Sequence, residues 1–203
     1  MTRNPARHVQ EVYSVALGVA LVLSVEQVVD LEREGAPFHT AMIPAFLAFV
    51  TLAFTLYHWS ARYLDFKYLE SSDASRRRPG LFAELLVGAV EILVLITLSV
   101  LISRPTAFAV GMVTLLGLEV AAGFVLRAAG SYGGLGRLPA SYLWINAVSF
   151  VALAAAVIGI EAIDVTGTGQ EIALGSAAAA VAVVRGAFVY RAGFEMLFPD
   201  LAK

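Results

Sequence analysis

The chain contains no cysteine. Disulfides, thiolate metal sites and cysteine nucleophiles are therefore excluded. Histidine is scarce as well. His8, His39 and His58 lie far apart, and no HExxH or related metal-binding spacing occurs. No serine stands in a GxSxG elbow. The lysines, Lys67 and Lys203, both fall outside the long apolar runs, which rules out a retinal Schiff base within a membrane. No run repeats arginine at every third position, so a voltage sensor of the usual kind is absent. The stretch GSYGGLG at 130–136 lacks the lysine of a P-loop and reads as a connector. These absences predict a protein that is not an enzyme and that carries no metal and no cofactor.

What the chain does have is oil. Of its 203 residues 59% are hydrophobic, and the mean hydropathy is +0.79. A soluble domain is about 45–50% apolar. The excess comes in runs of about twenty residues, which at 1.5 Å rise per residue match a hydrocarbon core of roughly 30 Å. Six such runs are legible: Glu11 to Val29, Ala41 to Trp59, 81–103, Thr106 to Leu126, Ser141 to Ile163, and Glu171 to Tyr190. Arg104-Pro105 ends the third, because a proline disfavours helix in the residue before it. The opening run lacks a small-residue cleavage site and passes straight into Glu26 and Gln27, so it is expected to be a permanent helix. The predicted class is an all-α membrane protein, a single domain over 1–203 with six transmembrane helices.

Basic residues orient it. With the N-terminus inside, the inner segments hold Arg3, Arg7, Arg62, Lys67, Arg76, Arg77, Arg78, Arg127, Arg137, Arg191 and Lys203. The outer segments hold Arg33 and Arg104. This imbalance predicts that both termini are cytoplasmic. The rings of Tyr57, Trp59 and Tyr63, and of Tyr142 and Trp144, fall at the inner ends of spans two and five, where aromatics favour the headgroup level.

Charges also lie within the oil. Glu84 and Glu91 are seven residues apart and share one face of span three. Glu119 lies in span four, Glu26 near the outer end of span one, and Arg185 six residues before Arg191 in span six. An ionised group near a helix centre costs about 2.5–3.5 kcal/mol on insertion scales. These side chains are therefore expected to face protein or water. One reading is an ion or proton path. The other is a structural pair, Arg185 with Glu84 or Glu119. Since Arg185 neutralises one carboxylate only, Glu91 then needs a proton, a cation, water or a further partner.

Span one carries a second pattern. Val15, Val19, Val22 and Glu26 fall along one helical stripe. Copies of this helix around an axis would form a valine gate beneath an acidic ring that attracts cations. A lipid-facing stripe is the alternative. In span six, Gly175 and Ala179 make a small-xxx-small pattern that allows close helix approach. The connection at 60–80 is read as a basic cytoplasmic loop. Its run Arg76, Arg77, Arg78 either sets topology or grips an anionic partner such as a lipid headgroup, a nucleotide or nucleic acid. The tail after Tyr190, RAGFEMLFPDLAK, reads as a short amphipathic end on the inner surface.

Tyr13-Ser14 at the start of span one and YHWSAR at 57–62 resemble the bacterial relatives of the lysosomal six-helix potassium channel. The resemblance covers about fifty residues. Val15 stands where that family carries an aspartate, and its paired histidines are reduced to His58. The resemblance implies a homotetramer whose first helix lines the pore, with His58 and Arg62 in a polar cluster at the cytoplasmic mouth. The expectation is thus a homo-oligomeric, cation-conducting channel or pore of a bacterial inner membrane, with an effector under a cytoplasmic regulatory protein as one setting for it. The alternatives are a proton-coupled small-solute transporter using its intramembrane glutamates, and a non-transporting membrane scaffold.

Overall fold

The computed structural model describes residues 5–33, 42–70, 78–128, 138–163 and 166–197. They form six α-helices: α1 (Pro5–Arg33), α2 (Met42–Glu70), α3 (Arg78–Leu101), α4 (Pro105–Ala128), α5 (Leu138–Ala162) and α6 (Thr168–Leu197). Each predicted span falls largely on its own helix, and α2 and α6 outrun their apolar stretches. α2 continues past Trp59 to Glu70, and α6 continues past Tyr190 to Leu197. Hydropathy marks the depth of oil, whereas a helix continues until a breaker or cap stops it. The turn at 102–104 shows such a stop. α3 ends at Leu101, and Pro105 opens α4 at a position where its missing N–H costs nothing. Gly167 (φ 66°) takes the left-handed conformation immediately before α6, which a side chain would oppose.

Contacts set the relative directions. Tyr13 meets Glu91 and Gln27 meets Ser103, so α1 and α3 run parallel. Gly111 packs beside Leu98 and Leu101 across the tight turn, so α3 and α4 run antiparallel. Gly117 lies beside Phe150 and Gly123 beside Leu143, which makes α4 and α5 antiparallel. Gln170 reaches back to Glu161 and Arg185 to Asn146, so α6 returns along α5. The start of α1 and the end of α6 thus lie at the same end of the bundle.

α6 packs against α2, α4 and α5, while α1 lies against α2 and α3. The buried stripe of α6 is Leu174, Gly175, Ala178, Ala179, Ala182, Arg185, Gly186 and Val189. Most of these are small, so neighbouring backbones come close. A Cβ added at Gly186 would lie 3.2 Å from the hydroxyl of Thr55 and 3.4 Å from the methyl of Thr51 on α2. The small-residue pattern read at Gly175 and Ala179 is therefore used inside the subunit.

The outer surface is oily. Val12, Val15, Val19, Val22, Val25, Leu93, Phe124, Trp144, Val148, Ile158 and Phe188 are all exposed. Such continuous apolar surface is what a bilayer covers and water does not. Four helices, α1, α4, α5 and α6, are long and apolar enough over their described residues to cross a membrane. α2 and α3 have shorter apolar stretches there, Met42–Tyr57 and Leu86–Leu101. The chain is a membrane-embedded helical protein.

Candidate functional site

Three helices bring polar side chains to one buried point. Arg185 of α6 pairs with Glu119 of α4, Nη2 to Oε2, at 2.6 Å. Its Nε–H donates to Oδ1 of Asn146 on α5 at 2.8 Å. Tyr142, one turn before Asn146 on the same face of α5, donates its hydroxyl to Glu119 Oε2 at 3.2 Å. The same hydroxyl oxygen accepts from Arg185 Nη2 at 3.3 Å. Arg185 is 1% exposed, Glu119 3% and Asn146 0%. Charge-assisted bonds of this kind are the strong ones, and in a dry interior nothing competes with them.

The network is incomplete. Glu119 Oε1, Asn146 Nδ2 and Arg185 Nη1 are buried and have no hydrogen-bond partner among the described residues. One is an acceptor and two are donors. A buried polar atom left unpaired costs free energy, so three in one cluster require an explanation.

A second acid sits beside this cluster. Glu91 of α3 accepts a 2.7 Å hydrogen bond from the hydroxyl of Tyr13 on α1. Tyr13 is buried and Glu91 half-buried. Gly88, one turn before Glu91, forms the slot for the ring. A Cβ there would lie 2.8 Å from the Tyr13 hydroxyl oxygen. Glu91 is close enough for its charge to act on both Glu119 and Arg185. The site therefore holds two carboxylates and one guanidinium. By helix rise, Tyr142 lies about 6 Å and the other members about 12–20 Å in from the helix ends at the side where α1 starts and α6 finishes.

Several expected site residues are placed elsewhere. Val15, Val19, Val22 and Glu26 are exposed on the outer face of α1 and are not part of the buried cluster. Of the two pairings expected for Arg185, the one with Glu119 forms. His58 and Arg62 fall on α2, and Arg78 and Glu84 on α3, but their side chains lie outside the described part of the structure. Arg76 and Arg77 also lie outside the described residues.

Other members escaped sequence reasoning. Tyr142, read as an interfacial ring, turns its hydroxyl to Glu119, whereas Trp144 two residues on is exposed. Asn146 is the one amide side chain in span five and lies one turn from Tyr142. Tyr13, part of the Tyr13-Ser14 motif, is also the partner of Glu91. Polar residues at i and i+4 within an apolar span are the signal that would have found the α5 pair.

No protein-family model matches this chain, and no characterised protein or solved structure is detectably similar to it.

Proposed function

We propose that the chain is a six-span protein of a bacterial inner membrane, with both termini cytoplasmic, that couples transport of a small solute to protons. Glu91 is the group that takes up and releases the proton. One observation carries this reading: a second carboxylate, Glu91, bonded to the Tyr13 hydroxyl, lies within electrostatic reach of the buried Glu119–Arg185 pair in the oil. With both acids ionised the cluster bears a formal charge of −1, which a membrane interior disfavours. A proton on Glu91 removes that charge.

The division of labour follows from burial. Glu119 is sealed and ion-paired, so it holds Arg185 in place. Glu91 is half-buried and bonded to a neutral phenol, so its carboxylate is the one open to exchange. When its proton leaves, the Tyr13 hydroxyl stabilises the carboxylate that remains. Glu91 then competes with Glu119 for Arg185. A shift of that guanidinium moves α6 relative to α3 and α4, which supplies the two-state element a coupled carrier needs.

The experiment is proton flux into liposomes reconstituted with the purified protein, read with an internal pH dye. Wild-type protein should acidify or alkalinise the lumen in response to a gradient, and Glu91→Gln should abolish this. Flux that survives Glu91→Gln removes the assignment.

A second reading, a homo-oligomeric cation channel with a tetramer favoured, draws on the exposed face of α1. Val15, Val19 and Val22 lead along it to an exposed Glu26. A cytoplasmic anionic ligand or regulatory protein acting at Arg76–Arg78 belongs to this reading. It predicts unitary current steps in planar bilayers, with cation preference altered by Glu26→Gln. A scaffold would show neither flux nor steps.

A further inference from the structure

We infer that the inner half of α1 is a proton-controlled latch: the Tyr13–Glu91 bond holds it on α3 while Glu91 is ionised, and it swings outward about Gly18 when Glu91 is protonated. The inference rests on Glu91 as the proton-exchanging group, but not on transport of a solute. Among the described residues α1 packs against α2 and α3 and against no other helix. Its two halves are anchored differently. In the outer half Ala20 and Ser24 are fully buried, Leu21 and Val28 pack on the core, and Gln27 accepts a 3.1 Å hydrogen bond from Ser103. Over 11–16, Tyr13 is the one buried side chain. Its ring sits in the slot left by Gly88, and its hydroxyl donates to Glu91 at 2.7 Å. The contact of Ser14 with the Tyr57 hydroxyl on α2, at 3.4 Å, is long for an O–H···O bond. Gly18 divides the halves. It is exposed, and a Cβ there would meet nothing within 4 Å, so packing does not call for glycine. Glycine inside a helix weakens it by about 0.8–1.0 kcal/mol relative to alanine, which makes this the point where α1 bends most readily. Charge sets the sign. A phenol donates about twice as strongly to a carboxylate as to a neutral carboxyl group. Protonation of Glu91 therefore weakens the buried anchor of the inner half and leaves those of the outer half untouched. The titratable and charged groups that act on Glu91 are Tyr13 on α1, Glu119 on α4, Tyr142 on α5 and Arg185 on α6. Of these, Tyr13 alone belongs to the helix that moves.

The test is pulsed electron–electron distance measurement on the full chain in lipid bilayers, diluted with unlabelled protein so that only pairs within one chain count. The chain has no cysteine of its own, so labels go only where they are placed. One spin-label pair, Val12→Cys with Val148→Cys, reports the inner half of α1 against α5. A second, Val29→Cys with Ile158→Cys, reports the outer half, and all four positions are exposed. Val12 lies about 9 Å along the axis from Gly18, so a bend of about 20° displaces it by about 3 Å. The inner pair should shift by that amount between alkaline and acidic buffer, while the outer pair stays in place. Glu91→Gln and Tyr13→Phe should each hold the inner pair at its acidic distance in both buffers, and Gly18→Ala should reduce the shift. An inner pair that ignores pH, a shift that survives Glu91→Gln, or equal movement of both pairs would overturn the latch. A full-sized shift in Gly18→Ala would overturn the bend at that residue. Movement of α1 without proton flux in liposomes supports the latch and removes the transport reading, whereas Glu91-dependent flux with α1 fixed overturns the latch alone.

Discussion

Replacing Arg185 with methionine should damage this protein more than replacing its partner Glu119 with glutamine. Arg185→Met removes the 2.6 Å ion pair and the 2.8 Å bond to Asn146, and it leaves Glu119 and Glu91 within electrostatic reach of one another with no cation to offset them. Breaking a buried pair by deleting one partner costs about 3–5 kcal/mol. For a chain of this size each kcal/mol shifts the midpoint of thermal unfolding by about 2–4 °C, so the expected fall is about 6–20 °C. Glu119→Gln leaves the guanidinium with Glu91 still within electrostatic reach, so its cost should sit at or below the low end of that range. The double variant Glu119→Leu, Arg185→Met should lie closer to wild type than Arg185→Met alone, because apolar side chains of similar volume replace a buried pair at little net cost. The assay is thermal unfolding in one detergent or bicelle condition for all four proteins. The reasoning fails if Arg185→Met unfolds within about 1 kcal/mol of wild type, a change of the size ordinary substitutions make. It also fails if Glu119→Gln is as costly as Arg185→Met, since Glu91 would then play no part as a second carboxylate.

Other outcomes follow from close approaches and from exposure. Gly88→Ala places a methyl against the Tyr13 hydroxyl at 2.8 Å, so it should push that ring off Glu91, cost about 1–3 kcal/mol in thermal unfolding, and lower proton flux in liposomes. Gly186→Leu should separate α2 from α6 and lower the unfolding midpoint by a similar energy, about 1–3 kcal/mol, while Leu at the open Gly159 should cost much less. The cysteine-free background makes single-cysteine labelling clean. Thr166→Cys, in the exposed turn before α6, should react with an impermeant maleimide from outside intact cells; protection there, with labelling only after lysis, would reverse the proposed orientation. Val19→Cys should form disulfide-linked dimers in membranes if α1 faces α1 across an assembly axis, and its failure to cross-link would count against the channel reading.

Sequence alone determined that this is a bundle of long apolar helices, and it located the charges that such a bundle must shelter. Both results rest on quantities that are local along the chain: the rise per residue against the thickness of oil, and the insertion cost of one ionised side chain. Partners were decided by tertiary structure. Glu119 and Arg185 lie 66 positions apart, and Tyr13 and Glu91 lie 78 apart. Which of them meet depends on how each helix is rotated about its axis and how deep it sits, and no spacing within one helix encodes either. Tyr142 shows the limit well. Four residues into its helix, a tyrosine suits a headgroup belt and an inward bond equally, and the position of Glu119 on another helix decides between them. Packing of α6 through Gly186 against Thr51 and Thr55 then fixes the approach of α2, a choice made by side-chain size across a helix interface and invisible to hydropathy.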